Sequence, residues 1–535
     1  MLVRQIASQP FSDQRCGTAG LRKKVTLFQQ PHYLENFLQS VFDALPALQG
    51  TTLVIGGDGR HHNRTAILTA IRMAAANGVA RAIVGQGGLL STPAASHLIR
   101  LHAATAGFLF TASHNPAGAD GDFGIKVNVA GGGQATEALT EKIYAISKTL
   151  GHYRIADGGR VDLDRRVPQT LGAMAVTIVD PVDDYAALMQ QRFDFNRLRE
   201  WLKTHTLRFD AMHAVTGPYA RRIFVELLGA PESSVVNACP LEDFGRGHPD
   251  PTLIHAKPLV DFMHSPDAAD FAAASDGDGD RNLILGKDLF ISPGDSLAML
   301  AAHTQNLMGV ARSMPTCRAV DRVAQSLGVE CHETSTGWKF FASLLDAGRI
   351  TLCGEESFGT SSNHVREKDG VWAALTWLDL LARTGLSVKE VAQQHWEKFG
   401  RHYYARHDYE DLPADVAAQV MDTLRAALPV LRGKTFGEWQ ITTADEFDYQ
   451  DPITGEKMQA QGLRIVFGDA ARLVLRLSGT GTQGATLRLY LERYTHQAGT
   501  LDWDTGFAVA PLAALAVPLL NLESITGRIA PDVIT

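Results

Sequence analysis

Three aspartates alternate with glycines in Asp276-Gly277-Asp278-Gly279-Asp280-Arg281, and a lone serine sits in Thr111-Ala112-Ser113-His114-Asn115-Pro116. Carboxylates at every second residue can curl around one hard cation and leave octahedral positions for a phosphate oxygen and water, which points to magnesium. A hydroxyl served by such a cation is equipped for phosphoryl transfer, so Ser113 is expected to carry phosphate. The competing readings fail on detail. A calcium EF-hand also opens with alternating aspartates, but it needs glycine at its sixth position and glutamate at its twelfth, where this chain has Arg281 and Lys287. A solvated acidic turn leaves three like charges crowded with nothing to neutralise them. A serine hydrolase with His114 as base lacks the Gly-x-Ser-x-Gly elbow, and adjacent residues of an extended segment point apart.

Ser478-Gly479-Thr480-Gly481-Thr482-Gln483-Gly484 contains a literal Gly-x-Gly-x-x-Gly after an apolar strand. The dinucleotide reading fails because Thr486 to Leu491 continues as a strand, not a helix. Hydroxyls and open backbone amides followed by Arg488 suit a phosphate nest instead. Gly354-Glu355-Glu356-Ser357-Phe358-Gly359 puts a carboxylate and a hydroxyl on one tight loop, a pair able to grip sugar hydroxyls, although a surface turn has the same composition. Arg366-Glu367-Lys368-Asp369 alone reads as a solvated charge run, and Gly17 to Arg22 alone is a weak signal.

These loops need strands to carry them. Thr51 to Gly56 reads as a buried strand ending at Asp58-Gly59-Arg60, and Ile67, Ala70, Ile71 and Ala74 then recur at helical spacing up to an Asn77-Gly78 stop. Ala80 to Val84 and Gly107 to Phe110 follow as strands, the second leading straight into Thr111. The same alternation returns at Phe271 to Ser275, ahead of the aspartates, and at Ile350 to Cys353, ahead of Gly354. An α/β fold with parallel or mixed sheets is expected, with ligand loops at the carboxyl ends of strands. Beyond about residue 400 a hairpin, Leu463 to Phe467 and Arg472 to Leu477 around Gly468-Asp469, marks a smaller α+β unit.

The 535 residues and 45% hydrophobic content provide for several cores. A net charge of -8 and a pI near 6.2 disfavour nucleic acid and acidic membranes as partners. The first residues carry no export signal, and no apolar run is long enough for a bilayer. Five scattered cysteines without a Cys-x-x-Cys pair signal neither a disulfide framework nor a zinc site, so a cytoplasmic protein is expected.

Taken in order, Gly17 to Arg22, Thr111 to Pro116, Gly118 to Lys126, Leu241 to Phe244, Asp276 to Arg281, Thr336 to Lys339, Gly354 to Gly359, Arg366 to Gly370 and Ser478 to Gly481 resemble the α-D-phosphohexomutase superfamily, in particular its α-phosphoglucomutase branch. The resemblance runs nearly end to end. It implies four domains around one cleft, three α/β with mixed sheets and a smaller C-terminal α+β domain, at 1–180, 181–288, 289–398 and 399–535. It implies that Ser113 is the phosphoserine and that Asp276, Asp278 and Asp280 hold Mg²⁺ with it. Arg22, Arg281, Thr336, Gly337, Glu355, Ser357 and Lys368 would bind the sugar substrate, and Ser478, Gly479, Thr480, Gly481, Thr482 and Arg488 the phosphate that is not reacting. The implied reaction interconverts glucose 1-phosphate and glucose 6-phosphate through glucose 1,6-bisphosphate. Lys126 is the candidate general base, with His114 second. The implied partners are small sugar phosphates, and a monomer is expected, with a dimer as alternative. Ala19, Ala117, Ser335 and Thr482 depart from the commonest pattern. A glucose 1,6-bisphosphate synthase and a silent scaffold or adhesion relative are the competing functions; the scaffold predicts damage at Ser113, the aspartates or the sugar loop, and all three motifs are intact.

Overall fold

The computed structural model describes residues 2–478 and 484–535. They form two compact units, one of residues 1–290 and 358–388, the other of 291–357 and 389–535.

The first unit begins with a seven-stranded sheet. Its strands are β1 (Leu21–Lys24), β2 (Thr52–Gly57), β3 (Arg81–Leu89), β4 (Ala106–Phe110), β5 (Asp122–Val129), β6 (Gln169–Leu171) and β7 (Met174–Val179), in the order β1-β5-β4-β2-β3-β7-β6. The central strands β4, β2, β3 and β7 are parallel, whereas β1, β5 and β6 pair antiparallel, so the sheet is mixed. Leu53, Val54 and Ile55 are fully buried, as a strand covered on both faces requires. Helix α1 (Asn63–Ala76) buries Ile67, Ala70, Ile71 and Ala74, and the chain leaves it through Gly78 at φ 82°. Helix α2 (Thr92–Leu101) starts on Ser91, whose hydroxyl accepts from the Ala94 amide, with Pro93 in its first turn.

A second mixed sheet of this unit contains β8 (Leu207–Asp210), β9 (Val235–Val236), β10 (Phe271–Ala274) and β11 (Leu283–Gly286), running β9-β8-β10-β11. Strand β8 is parallel to β9 and β10, and β10 is antiparallel to β11. Helix α3 (Gly370–Thr384) completes the unit. The serine loop follows β4 and the aspartate loop follows β10, at the carboxyl ends of their strands.

The second unit has parallel strands β12 (Gly309–Ser313), β13 (Glu330–Thr334) and β14 (Leu352–Glu355), with β12 between the other two. Strand β14 ends later than the sequence pattern indicates, because Gly354 still pairs with Arg312; Glu355 therefore lies on the strand itself. Then come β15 (Arg401–Leu412), α4 (Ala414–Leu431), β16 (Thr443–Glu446), β17 (Leu463–Phe467), β18 (Ala471–Ser478), β19 (Ala485–Thr495), α5 (Thr505–Leu519) and β20 (Val533–Ile534). These six strands form one antiparallel sheet in the order β16-β17-β18-β19-β15-β20, with the expected hairpin between β17 and β18. Leucines of α4, α5 and the sheet share one core. No helix among the described residues is long and apolar enough to cross a membrane.

Candidate functional site

Ser113 leaves β4 at φ 51°, a left-handed turn for a residue with a side chain, so its surroundings must hold it there. The hold comes from Arg60. Its guanidinium donates to the Ser113 carbonyl at 2.7 Å, to the Asp122 carbonyl at 2.8 Å and to Asp58 Oδ2 at 2.8 Å, and both side chains of the Arg60 and Asp58 pair are fully buried. Asp58 also accepts the Thr111 hydroxyl at 2.6 Å, and Thr111 Oγ1 accepts the Ser113 amide at 2.7 Å. The turn reverses one expectation: the Ser113 and His114 side chains do not point apart, and Oγ lies 3.4 Å from His114 Nδ1, because the chain bends where an extended segment was assumed. Burial, then Arg281 and Arg22, hold His114 well below the usual histidine range, so its ring is neutral at pH 7.

The aspartate loop comes to this serine. Ser113 Oγ donates to Asp276 Oδ2 at 2.8 Å, and a side chain on Gly277 would strike the Ser113 carbonyl, which accounts for that glycine. Asp276 Oδ1 accepts the amides of Asp280 and Arg281. Lys126, on β5, donates to Asp278 Oδ2 at 2.5 Å and Asp280 Oδ2 at 3.0 Å. Thr92, at the start of α2, also donates to Asp278 Oδ2, at 2.7 Å. Lys368 Nζ stands 3.2 Å from Asp280 Oδ1, Arg281 pairs with Asp250 at 2.9 Å, and Arg22 on β1 donates to Asn115 at 3.3 Å. Asp369, beside Lys368, caps α3 through the Trp372 amide and also meets the Tyr185 hydroxyl and His364, while Glu367 accepts from Asn128 and Gln134. The charge run of the sequence is therefore a buried, fixed loop.

The three aspartates are buried and their ligand oxygens lie within 4.8 Å of one another. Burial, then Asp280 and Asp278, push Asp276 well above the usual carboxylate range. Against burial, Lys126 holds Asp278 low, and the two aspartates hold the Lys126 ammonium above the usual lysine range. Asp278 Oδ1 is buried with no hydrogen-bond partner among the described residues. Hard oxygen donors in excess of their hydrogen bonds fit a bound metal ion.

The other predicted residues belong to the second unit. Glu355 Oε1 accepts the Gly337 amide at 3.1 Å, Ser357 Oγ donates to Glu355 Oε2 at 3.3 Å, and Thr336 Oγ1 is buried without a hydrogen-bond partner among the described residues. Ser478 ends β18 opposite Thr486; Gly479, Thr480, Gly481 and Thr482 lie outside the described residues. Arg488 lies directly across from Arg476, one strand over, and its Nε is buried with no hydrogen-bond partner among the described residues. Asp408 stands 3.9 Å from Arg488 Nε and Arg476 Nε donates to the Gln461 carbonyl at 3.0 Å, and the position of Arg476 beside Arg488 makes it a candidate to join the predicted phosphate residues. Sequence reading missed Arg476, Thr92, Asp58 and Arg60. Only Arg476 left a signal, since it shares a strand face with Ser478 two residues on.

Models of the alpha/beta/alpha domains I, II and III of phosphoglucomutase/phosphomannomutase match residues 13–154, 183–289 and 293–399, and that of the phosphoglucomutase-1 C-terminal domain matches 401–532. A phosphoglucomutase of Rhizobium radiobacter is 50% identical over 542 residues, covering 100% of both chains. Phosphoglucomutase-1 of Oryctolagus cuniculus is 46% identical over 557 residues, covering 99% of each. The open form of the exocytosis-sensitive phosphoprotein pp63/parafusin (phosphoglucomutase) from Paramecium superimposes with a TM-score of 0.92 at 44% identity, covering 100% of this chain and 99% of that one. With every domain matched and close relatives along its full length, the chain belongs to the phosphoglucomutase/phosphomannomutase family, whose phosphohexomutases are isomerases.

Proposed function

We propose that the chain interconverts α-D-glucose 1-phosphate and D-glucose 6-phosphate through a phosphoserine at Ser113 and a glucose 1,6-bisphosphate intermediate. The observation that carries this reading is the 2.8 Å hydrogen bond from Ser113 Oγ to Asp276, which puts a hydroxyl against one member of a buried aspartate triad. A phosphoserine carries a charge of about -2, and each unit of it is repelled by a carboxylate 4 Å away by about 4 kcal/mol at an effective dielectric of 20. Mg²⁺ bound by Asp276, Asp278, Asp280 and the phosphoserine would supply the compensating charge and stabilise the transferring phosphoryl group.

The protein's own groups do the rest. The phosphoserine gives its phosphoryl group to the free sugar hydroxyl, whose proton leaves as the new P–O bond forms and the Ser113 P–O bond breaks. After the bisphosphate turns over, Ser113 Oγ takes the other phosphoryl group and releases the product. Arg22, Arg281 and Lys368 stabilise charge around the transferring group. Glu355 and Ser357, with Thr336 and Gly337, hold sugar hydroxyls; Ser478, Arg476 and Arg488, with the Gly479 to Thr482 segment, hold the idle phosphate. Lys126, first in line on sequence grounds, is held as its ammonium against burial by Asp278 and Asp280 and so cannot accept the sugar proton, which passes to the neutral His114. His114, 3.4 Å from Ser113 Oγ, is also the group placed for the serine proton. A reducing, cytoplasmic setting accords with five free cysteines.

The test is the initial rate of glucose 6-phosphate formation from glucose 1-phosphate, with Mg²⁺ and trace bisphosphate, for the wild type and Ser113→Ala. The reading expects a fast wild type and a mutant slower by about 10⁴-fold or more. A wild type as slow as the mutant overturns it.

A further inference from the structure

Glu356 is the second carboxylate of the sugar loop, and its contacts lead away from the sugar. Its amide donates to Thr316 Oγ1 at 2.9 Å, while its carboxylate accepts from Arg406 at 3.0 Å and from the Tyr490 hydroxyl at 3.4 Å. Arg406 Nε in turn holds both oxygens of Asp408, at 3.0 and 3.1 Å. Arg406 and Asp408 are two apart on β15 and so share a face. In register, Arg406 faces Tyr490 and Asp408 faces Arg488 on β19, and Arg488 faces Arg476 on β18. Asp408 Oδ1 stands 3.9 Å from Arg488 Nε.

A continuous row thus joins Glu356, one residue from the sugar-gripping Glu355, to the arginine pair of the phosphate nest. Glu356 is 6% exposed and Asp408 2%, so the row is shielded from solvent screening. We infer that Glu356, through Arg406 and Asp408, is a positioning residue that fixes the spacing between the sugar grip and the phosphate grip. A rigid spacing selects sugar phosphates whose phosphate and ring hydroxyls lie that far apart, and it makes the two grips bind as one. This inference rests on the glucose phosphate reading above.

The test is a double-mutant cycle on the full-length protein with Glu356→Gln, Arg406→Met and the pair, reading kcat and KM for glucose 1-phosphate, together with inhibition by inorganic phosphate as a probe of the nest alone. Each single variant is expected to raise KM by about 10-fold with kcat within about threefold, and the pair is expected to be no worse than the worse single. The inhibition constant for inorganic phosphate rises in parallel. Where Glu356→Gln does not fold, Arg406→Met against Arg406→Lys carries the test, the lysine recovering most of the lost KM. Additive KM effects, an unchanged KM, or a loss confined to thermal stability overturn the coupling while leaving the mutase reading intact. A wild type that does not turn over glucose 1-phosphate overturns both.

Discussion

In the proposed function the serine and aspartate centre of the first unit and the arginine row of the second both serve phosphate, but they are finished to different degrees. Around Ser113 the backbone is clamped by Arg60, the hydroxyl has found Asp276, and Asp278 is gripped on one oxygen by Thr92 and Lys126. Across β18 and β19, by contrast, Arg476 faces Arg488, whose Nε has no hydrogen bond among the described residues and stands 3.9 Å from Asp408 Oδ1. The difference follows the two tasks. Transfer of a phosphoryl group needs its reacting atoms fixed beforehand, whereas holding an idle phosphate needs unspent donors that the anion itself completes.

Asp278→Asn tests the finished half and, after Ser113→Ala, carries the largest expected effect. It leaves shape and volume alone but removes the charge, and kcat is expected to fall about 10³-fold, as loss of several kcal/mol of transition-state stabilisation requires. Stabilisation of the protein by Mg²⁺ in a thermal melt should vanish with it; a variant that keeps both would break the assignment. Arg488→Met tests the open half. One charge-assisted hydrogen bond to phosphate is worth about 2 kcal/mol, so KM for glucose 1-phosphate should rise about 30-fold with kcat within about threefold. A fall in kcat at constant KM would mean that the arginine row acts on the transferring group, and the comparison would collapse.

The smallest effect sharpens the comparison by asking how tightly the finished half is built. Burial pushes the Glu367 carboxyl up to about 7, against Lys126 and the amide donors of Asn128 and Gln134. A folded pKa above the unfolded value of 4.5 gives stability that is complete below pH 4.5 and is lost as pH rises through 7. Subtracting the unfolding free energy of Glu367→Gln from that of the wild type should reveal a loss of about 3 kcal/mol between pH 4.5 and 8. A flat difference would place water or a partner at this carboxylate.

The chemistry of the first unit was legible because its reactive atoms come in short local patterns: a spaced aspartate triplet and a serine after a strand need no tertiary knowledge to be noticed. Their supports were not. Thr92 meets Asp278 across 186 residues of chain and Arg60 meets Ser113 across 53, and nothing in Leu90-Ser91-Thr92-Pro93 beyond a helix start announces a carboxylate partner. The left-handed turn at Ser113 escaped because no glycine marks it, and so the contact with His114 was misjudged. The α/β alternation and the C-terminal α+β sheet followed from apolar runs and turn residues, which left parallel and mixed sheets open; mixed sheets came with the family resemblance. Strand β14 was cut short because Gly354 reads as a loop when it is still paired. The arginine row depends on register across β18, β19 and β15, which alternation within one strand does not give.

The central claim is that Ser113 passes a phosphoryl group to and from the sugar. Protein charged with radiolabelled glucose 1,6-bisphosphate, freed of excess sugar and mixed in a single turnover with unlabelled glucose 1-phosphate and Mg²⁺, tests it most directly. The account predicts label on the peptide containing Ser113, leaving at the catalytic rate and appearing in sugar phosphate. Label that stays on the chain, or that resides on another peptide while the enzyme turns over, would contradict it.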